Sequence, residues 1–180
     1  LPEKIAYSDG QNDMTFSALL SNSRAVGSAL LEKGYGQEPI AILMAKQPAQ
    51  IAAFYGCVYA GCFYVPLDAD MPIGRMELIL ETVGARALIV DAKGERIAQK
   101  LSFAGEGLSY SALAEHPEDA IALSAVRERQ IDTDPIYIVF TSGSTGIPKG
   151  VCACHRSVID YVEALCEALD FSEDTVFFFF

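Results

Sequence analysis

Chemistry is concentrated in residues 141–150, Thr-Ser-Gly-Ser-Thr-Gly-Ile-Pro-Lys-Gly, where three glycines, four hydroxyl side chains and one lysine stand together. Glycine lets consecutive backbone N–H groups turn into one concavity, hydroxyls add donors, and an ammonium supplies a compact positive charge. That combination suits phosphate oxygens. A simple polar turn needs one or two special residues, whereas eight of these ten fit a phosphate cradle. The candidate binding residues are therefore Thr141, Ser142, Gly143, Ser144, Thr145, Gly146 and Lys149. A Walker A loop is excluded, because there glycine precedes the lysine and a metal-binding hydroxyl follows it. Here Pro148 precedes Lys149 and Gly150 follows.

Such a loop needs a rigid frame. Residues 136–140, Ile-Tyr-Ile-Val-Phe, are β-branched and aromatic without charge, and predict a buried strand that delivers the loop to the end of a sheet. Upstream, residues 4–8 and 14–16 flank Asp9-Gly10 and predict a hairpin. Ser17 is the expected cap of a helix whose apolar face is Ala18, Leu19, Ala25, Val26, Ala29 and Leu30, with Gly34 just past its end. A buried strand is expected at 40–45, then a helix with Pro48 in its first turn that ends at Gly61. A short strand at 63–65 precedes a helix opened by Pro72 and running to about Val83. Residues 86–91 read as a strand and 95–101 as a short helix. Residues 105–134 are polar with little periodicity, and predict surface connections carrying one or two short elements. A strand at 151–154 then leads to a helix over 157–169. Alternating βα units of this kind imply an α/β fold with a largely parallel sheet and helices on both faces.

Composition bounds the partners. At 180 residues, with 51% apolar and 21% charged residues, the chain can bury one sizeable core. A net charge of −11 argues against nucleic acid and anionic membrane, which require a positive field. It does not argue against a nucleotide bound by local donors, and Lys149 with Arg156 is the expected basic spot. Residues 51–67 run 17 positions without a charge, but Gly56, Gly61 and Pro66 interrupt them, so a buried core segment is expected there and not a membrane span. Five cysteines in no regular framework point to a reducing compartment, the cytoplasm. Cys152 and Cys154 alternate as strand residues do, and buried thiols acting as small apolar groups explain them better than a metal site.

Beyond the loop, Asp68 and Asp70 sit beside two prolines and read as turn and cap residues. Phe63 and Tyr64 read as core, Arg75 as the partner of a local carboxylate such as Glu77 or Asp68, and His155 as a histidine at a strand end.

The segment Tyr137-Ile138-Val139-Phe140-Thr141-Ser142-Gly143-Ser144-Thr145-Gly146-Ile147-Pro148-Lys149-Gly150-Val151 resembles the phosphate-loop signature of the adenylate-forming superfamily, most closely the adenylation domains of nonribosomal peptide synthetases. Ala60-Gly61-Cys62-Phe63-Tyr64-Val65-Pro66-Leu67-Asp68, with Pro72 and Arg75, is similar to the second core motif, and Met14-Thr15-Phe16-Ser17-Ala18-Leu19 to a loose copy of the first. His155 matches a position where the family often carries histidine. The resemblance implies that a carboxylic acid, an amino acid above all, is activated by ATP with Mg2+ as an acyl-adenylate. Pyrophosphate is released, and the acyl group passes to the phosphopantetheine thiol of a carrier protein. Lys149 would then be the catalytic cation at the β/γ phosphates. Other adenylate-forming ligases (D-alanine–carrier protein ligase, acyl-CoA synthetase) and a non-catalytic nucleotide-binding remnant are the competing readings. Because family members are longer, residues 1–180 are expected to be the N-terminal part of an AMP-binding domain, with the acid pocket and the late lysine beyond them.

Overall fold

A computed structural model describes residues 1–141, 148–169, 171–172 and 175–176. The chain opens with the expected hairpin, β1 (Ile5–Ser8) against β2 (Asp13–Thr15), turned by the Asp9 carboxylate, which accepts from the N–H groups of Gln11 and Asn12. Helix α1 (Phe16–Glu32) follows with no loop between, because Thr15 is both the last strand residue and the cap: its Oγ1 accepts from Ala18 N at 3.2 Å. Ser17, expected as the cap, lies inside the helix and shares a 3.0 Å hydrogen bond with Thr15 Oγ1.

Next come β3 (Pro39–Leu43), α2 (Pro48–Tyr59), β4 (Phe63–Leu67), α3 (Ile73–Val83), β5 (Ala87–Val90) and α4 (Ala92–Ala98). Pro48 stands in the first turn of α2 as expected. Past the ends of α1 and α2 the chain turns at Gly34 (φ 81°) and Gly61 (φ 74°), a left-handed conformation that disfavours side chains. Gly61 thereby redirects the long uncharged run into β4, and no helix among the described residues is long and apolar enough to cross a membrane. Residues 105–134 hold three elements, one more than the sequence predicts: β6 (Glu106–Ser109), α5 (Tyr110–Ala114) and α6 (Ala120–Arg127). Finally β7 (Pro135–Thr141), β8 (Lys149–Cys154) and α7 (His155–Ala168) complete the order. α4 starts at Ala92, ahead of the expected 95, because Asp91 caps it. α7 starts at His155, ahead of 157, because Cys154 and Ser157 form a capping box.

The main sheet runs β6-β5-β3-β4-β7-β8, parallel throughout except for β8, which returns antiparallel to β7. β3 is central, and Ile40, Ala41, Ile42 and Leu43 are fully buried, as a parallel strand covered on both faces requires. Ile40, Ile42 and Ile89 pack under α1 and α2 with Val26, Leu30 and Cys57. Ala41, Leu43, Val65 and Leu88 pack on the other face against Met76 and Ile79 of α3. α1 and α2 approach so closely that a Cβ on Gly56 would collide with the Val26 side chain.

Two expectations about burial need correction. β7 is only partly covered, with Val139 at 42% exposure, because its neighbour β8 carries Val151 at 57% and α7 buries none of its residues. Cys57 and Cys62 are buried as small apolar groups, but Cys152 and Cys166 are exposed and Cys154 is half-buried.

Candidate functional site

Parallel strands end on one edge, so the segments that follow them meet there. α2 leaves β3 toward one face of the sheet and α3 leaves β4 toward the other, which makes the β3–β4 boundary a topological switch point, where open α/β sheets bind ligands. On its other side β4 pairs with β7 at Tyr64↔Tyr137 alone. Two residues on is Pro66, which has no N–H with which to extend that ladder. At the carboxyl ends of these strands lies a crevice of about 390 Å3, lined by Met44, Lys46, Gln50, Asp68, Val139 and Phe140 among others.

The β7–β8 hairpin borders this crevice. Its ladder runs from Tyr137↔Ala153 to Thr141↔Lys149, so Thr141 and Lys149 face one another across the hairpin mouth. Both are exposed, and Pro148 just before Lys149 is buried. Of the predicted cradle, the fold thus brings Thr141 and Lys149 together beside the switch point. Ser142, Gly143, Ser144, Thr145 and Gly146 lie outside the described residues. Lys149 forms no ion pair among the described residues, which leaves its ammonium available to a ligand.

Arg75 departs from expectation. Its Nη2 donates to the carbonyl oxygen of Thr141 at 3.1 Å, across 66 residues of sequence. The carboxylates expected to take it are occupied: Glu77 accepts from Ser102 N at 2.7 Å, and Asp68 pairs with Lys46 at 3.3 Å. Arg75 leaves α3 in its first turn, where the crossover rises from the carboxyl edge, and the end of β7 is within its reach.

Asp68 is the turn residue it was expected to be. The Asp70 N–H, donating at 2.9 Å, holds its carboxyl below the usual carboxylate range, with Lys46 and Lys93 adding in the same direction. Asp70 itself pairs with Lys93 at 3.7 Å. Exposed pairs of this kind contribute about 0–1 kcal/mol each, so their role is to tie the edge segments loosely together. Asp91 is a residue the sequence reading missed. One carboxylate oxygen caps α4 through Gly94 N at 2.7 Å, and the other accepts from Ala45 N at 2.9 Å and Gln47 Nε2 at 3.0 Å. An aspartate between an apolar strand and a helix start is a cap signal that could have found it. Tyr64 packs half-buried against the core as expected, its ring stacked on Phe54 at 4.4 Å. Burial first, then the neighbouring phenols, push its hydroxyl up to about 12, so it stays neutral.

The expected basic spot does not form. Lys149 begins β8, and Arg156 follows its other end, bound to the Asp132 carboxylate through Nε at 2.8 Å and through Nη2. His155 lies at that far end too. Its Nε2 is buried without a hydrogen-bond partner among the described residues, beside a second cavity of about 800 Å3 lined by α1, α2, α6 and α7.

A mostly parallel sheet with helices on both faces and a crevice at its switch point defines an α/β domain. The chain belongs to the family of AMP-binding enzymes, which it matches over residues 1–180. It is 29% identical over 178 residues to the hybrid PKS-NRPS synthetase pyvA of Aspergillus violaceofuscus, covering 98% of this chain and 5% of that protein. It is 31% identical over 169 residues to the probable non-canonical nonribosomal peptide synthetase CymA of Salinispora arenicola, covering 92% of this chain and 2% of that one. The chain therefore spans a small part of the length of these relatives. Among solved structures, the nonribosomal peptide synthetase FmoA3 superposes with a TM-score of 0.76 at 26% identity, over 95% of this chain and 18% of that one. VinN in complex with 3-methylaspartate shares the fold, with a TM-score of 0.78 at 22% identity over 94% of this chain and 48% of that one.

Proposed function

We propose that residues 1–180 are the N-terminal part of an adenylation domain that activates an amino acid, or another carboxylic acid, with ATP. The observation that carries this reading is the pairing of Thr141 with Lys149 at a hairpin mouth beside the switch-point crevice, in a chain that belongs to the AMP-binding family. A nonribosomal peptide synthetase relative, FmoA3, has been solved with AMPPNP bound, at a TM-score of 0.76 and 26% identity.

In this reading a substrate carboxylate oxygen attacks the α-phosphorus, the bond to the bridging oxygen breaks, and pyrophosphate leaves with the electron pair. Charge grows on the departing β and γ phosphates. Donors already aimed at those oxygens stabilise the transition state more than the ground state. Lys149 supplies an ammonium there. Thr141, Ser142, Ser144 and Thr145 supply hydroxyls, and Gly143 and Gly146 leave space for backbone amides to approach. The described residues include no group of three His, Cys, Asp or Glu side chains suited to a metal, and Asp68 and Asp70 are engaged by lysines. Magnesium, when bound with the nucleotide, would offset phosphate charge beside Lys149 and the hydroxyls of this loop. The acyl-adenylate then passes its acyl group to the phosphopantetheine thiol of a carrier protein, with AMP leaving, in the cytoplasm.

The test is ATP–pyrophosphate exchange by the full-length protein across amino acids and fatty acids. Exchange dependent on an amino acid is expected. Exchange driven by fatty acids alone would move the assignment to an acyl-activating ligase, and the absence of exchange with every acid, together with no ATP affinity, would overturn it.

A further inference from the structure

The sheet ladder joins the β7–β8 hairpin to β4 by one register pair, which lies away from the hairpin mouth. β4 holds β7 through the pair Tyr64↔Tyr137, and no register pair between these strands is found nearer the hairpin mouth. β8 is the outer strand of the sheet, with the mouth at its first residue, Lys149. Ile138 and Phe140 pack on the α3 side of the sheet, which restrains one face of β7, while Val139 on the other face is 42% exposed and lines the crevice. The backbone of the mouth is held from outside by the 3.1 Å hydrogen bond from Arg75 Nη2 to Thr141 O.

We propose that Arg75 is a positioning residue. It fixes the peptide carbonyl at which β7 ends, and through the Thr141↔Lys149 pair it fixes where the Lys149 ammonium stands relative to the crevice. The chemistry suits the task. A guanidinium is planar, permanently charged and weakly hydrated, so it donates to a carbonyl with less loss of freedom than a lysine would. Its base is the first turn of α3, anchored by Met76 and Ile79, which are fully buried under the sheet. Arg75 thereby couples the rigid β4–α3 crossover to a hairpin that the sheet ladder holds at one point. This role rests on the reading of Lys149 as the phosphate-binding cation.

Two measurements on the full-length protein separate the tether from that reading. Hydrogen exchange follows the amides of Phe140, Thr141, Lys149 and Gly150, with those of β3 as the internal control. Calorimetry follows ATP with magnesium. In Arg75→Met, exchange at the hairpin mouth should quicken about tenfold or more while β3 is unchanged, as loss of one charge-assisted hydrogen bond implies. ATP affinity and the KM for ATP should worsen about tenfold, with the KM for the acid unmoved. Arg75→Lys should restore part of both, since an ammonium can still donate to Thr141 O. Unchanged exchange at the mouth, or faster exchange in β3 to the same degree, overturns the proposal: in the first case no tether exists, and in the second Arg75 merely stabilises the fold. Faster exchange at the mouth in a protein whose wild type does not bind ATP upholds the tether and sinks the phosphate-site reading.

Discussion

Replacing Lys149 by alanine should separate chemistry from stability. Lys149 is exposed and forms no ion pair among the described residues, and its place in the ladder with Thr141 depends on backbone groups that alanine retains. A surface change of that kind alters stability by about 0.5 kcal/mol or less. For a domain of this size that is a shift in melting temperature of about 2 °C or less. Activation should respond quite differently. A hydrogen bond from an ammonium to phosphate contributes about 1.5–3 kcal/mol, and if it is made to the leaving pyrophosphate it lowers the barrier by that amount. Each 1.4 kcal/mol is about tenfold in rate. Substrate-dependent ATP–pyrophosphate exchange by the full-length protein should therefore fall by roughly ten- to a hundredfold, and Lys149→Arg should recover part of it. Exchange at the wild-type rate in a folded Lys149→Ala protein would remove Lys149 from the mechanism. A melting temperature lowered by many degrees would show instead that the ammonium serves the fold.

Two further predictions concern the frame. Gly56→Val should push α1 and α2 apart, because a Cβ there already meets Val26, and overpacking costs typically 1–3 kcal/mol; a fall in the urea midpoint checks it, and an unchanged midpoint would mean that the helices part without strain. Stability should also fall in alkali. Burial pushes the Cys62 thiol from its ordinary value near 9 up to about 11, and burial moves Cys57 the same way. Below pH 9 the folded and unfolded chains both keep these protons. Above it the unfolded chain releases them first, so each pH unit toward 11 costs up to about 1.4 kcal/mol per thiol. Urea unfolding at pH 8 and pH 10 should show the loss, and Cys62→Ala should make it shallower; an equal slope in that variant would place the titrating group elsewhere.

What could be read in advance was what neighbouring residues determine together. The uncharged run of β3, proline at the start of α2, and glycine past α1 and α2 each act over a few residues, and all stand where expected. Residues 105–134 were harder, because β6, α5 and α6 each lodge only one or two side chains in the core, Leu108, Leu113, Leu123 and Val126, too few to make a period. Thr15 was missed as a cap because strand and helix share that residue without a loop. At the candidate site, residue types alone single out Lys149 as a candidate, and the fold sets it opposite Thr141. Arg75 was not legible in this way, since its partner is a backbone carbonyl, which any residue presents, and lies 66 positions away. Its nearby carboxylates drew the wrong pairing for the same reason that Arg156 drew a false basic spot: proximity in sequence is not proximity along a strand.

The single pair Tyr64↔Tyr137 makes the hairpin a lever with its fulcrum inside the sheet. Thr141 stands four residues beyond that fulcrum, roughly 13 Å at the rise of an extended strand. A tilt of about 5° there would carry the mouth through about 1 Å, the scale of misplacement that can cost a hundredfold in rate. Substitutions in the stacked rings of Phe54 and Tyr64, or in Tyr137 tilted against Tyr64, should therefore move the hairpin mouth with mechanical advantage, the more so when the arm is not held at its tip.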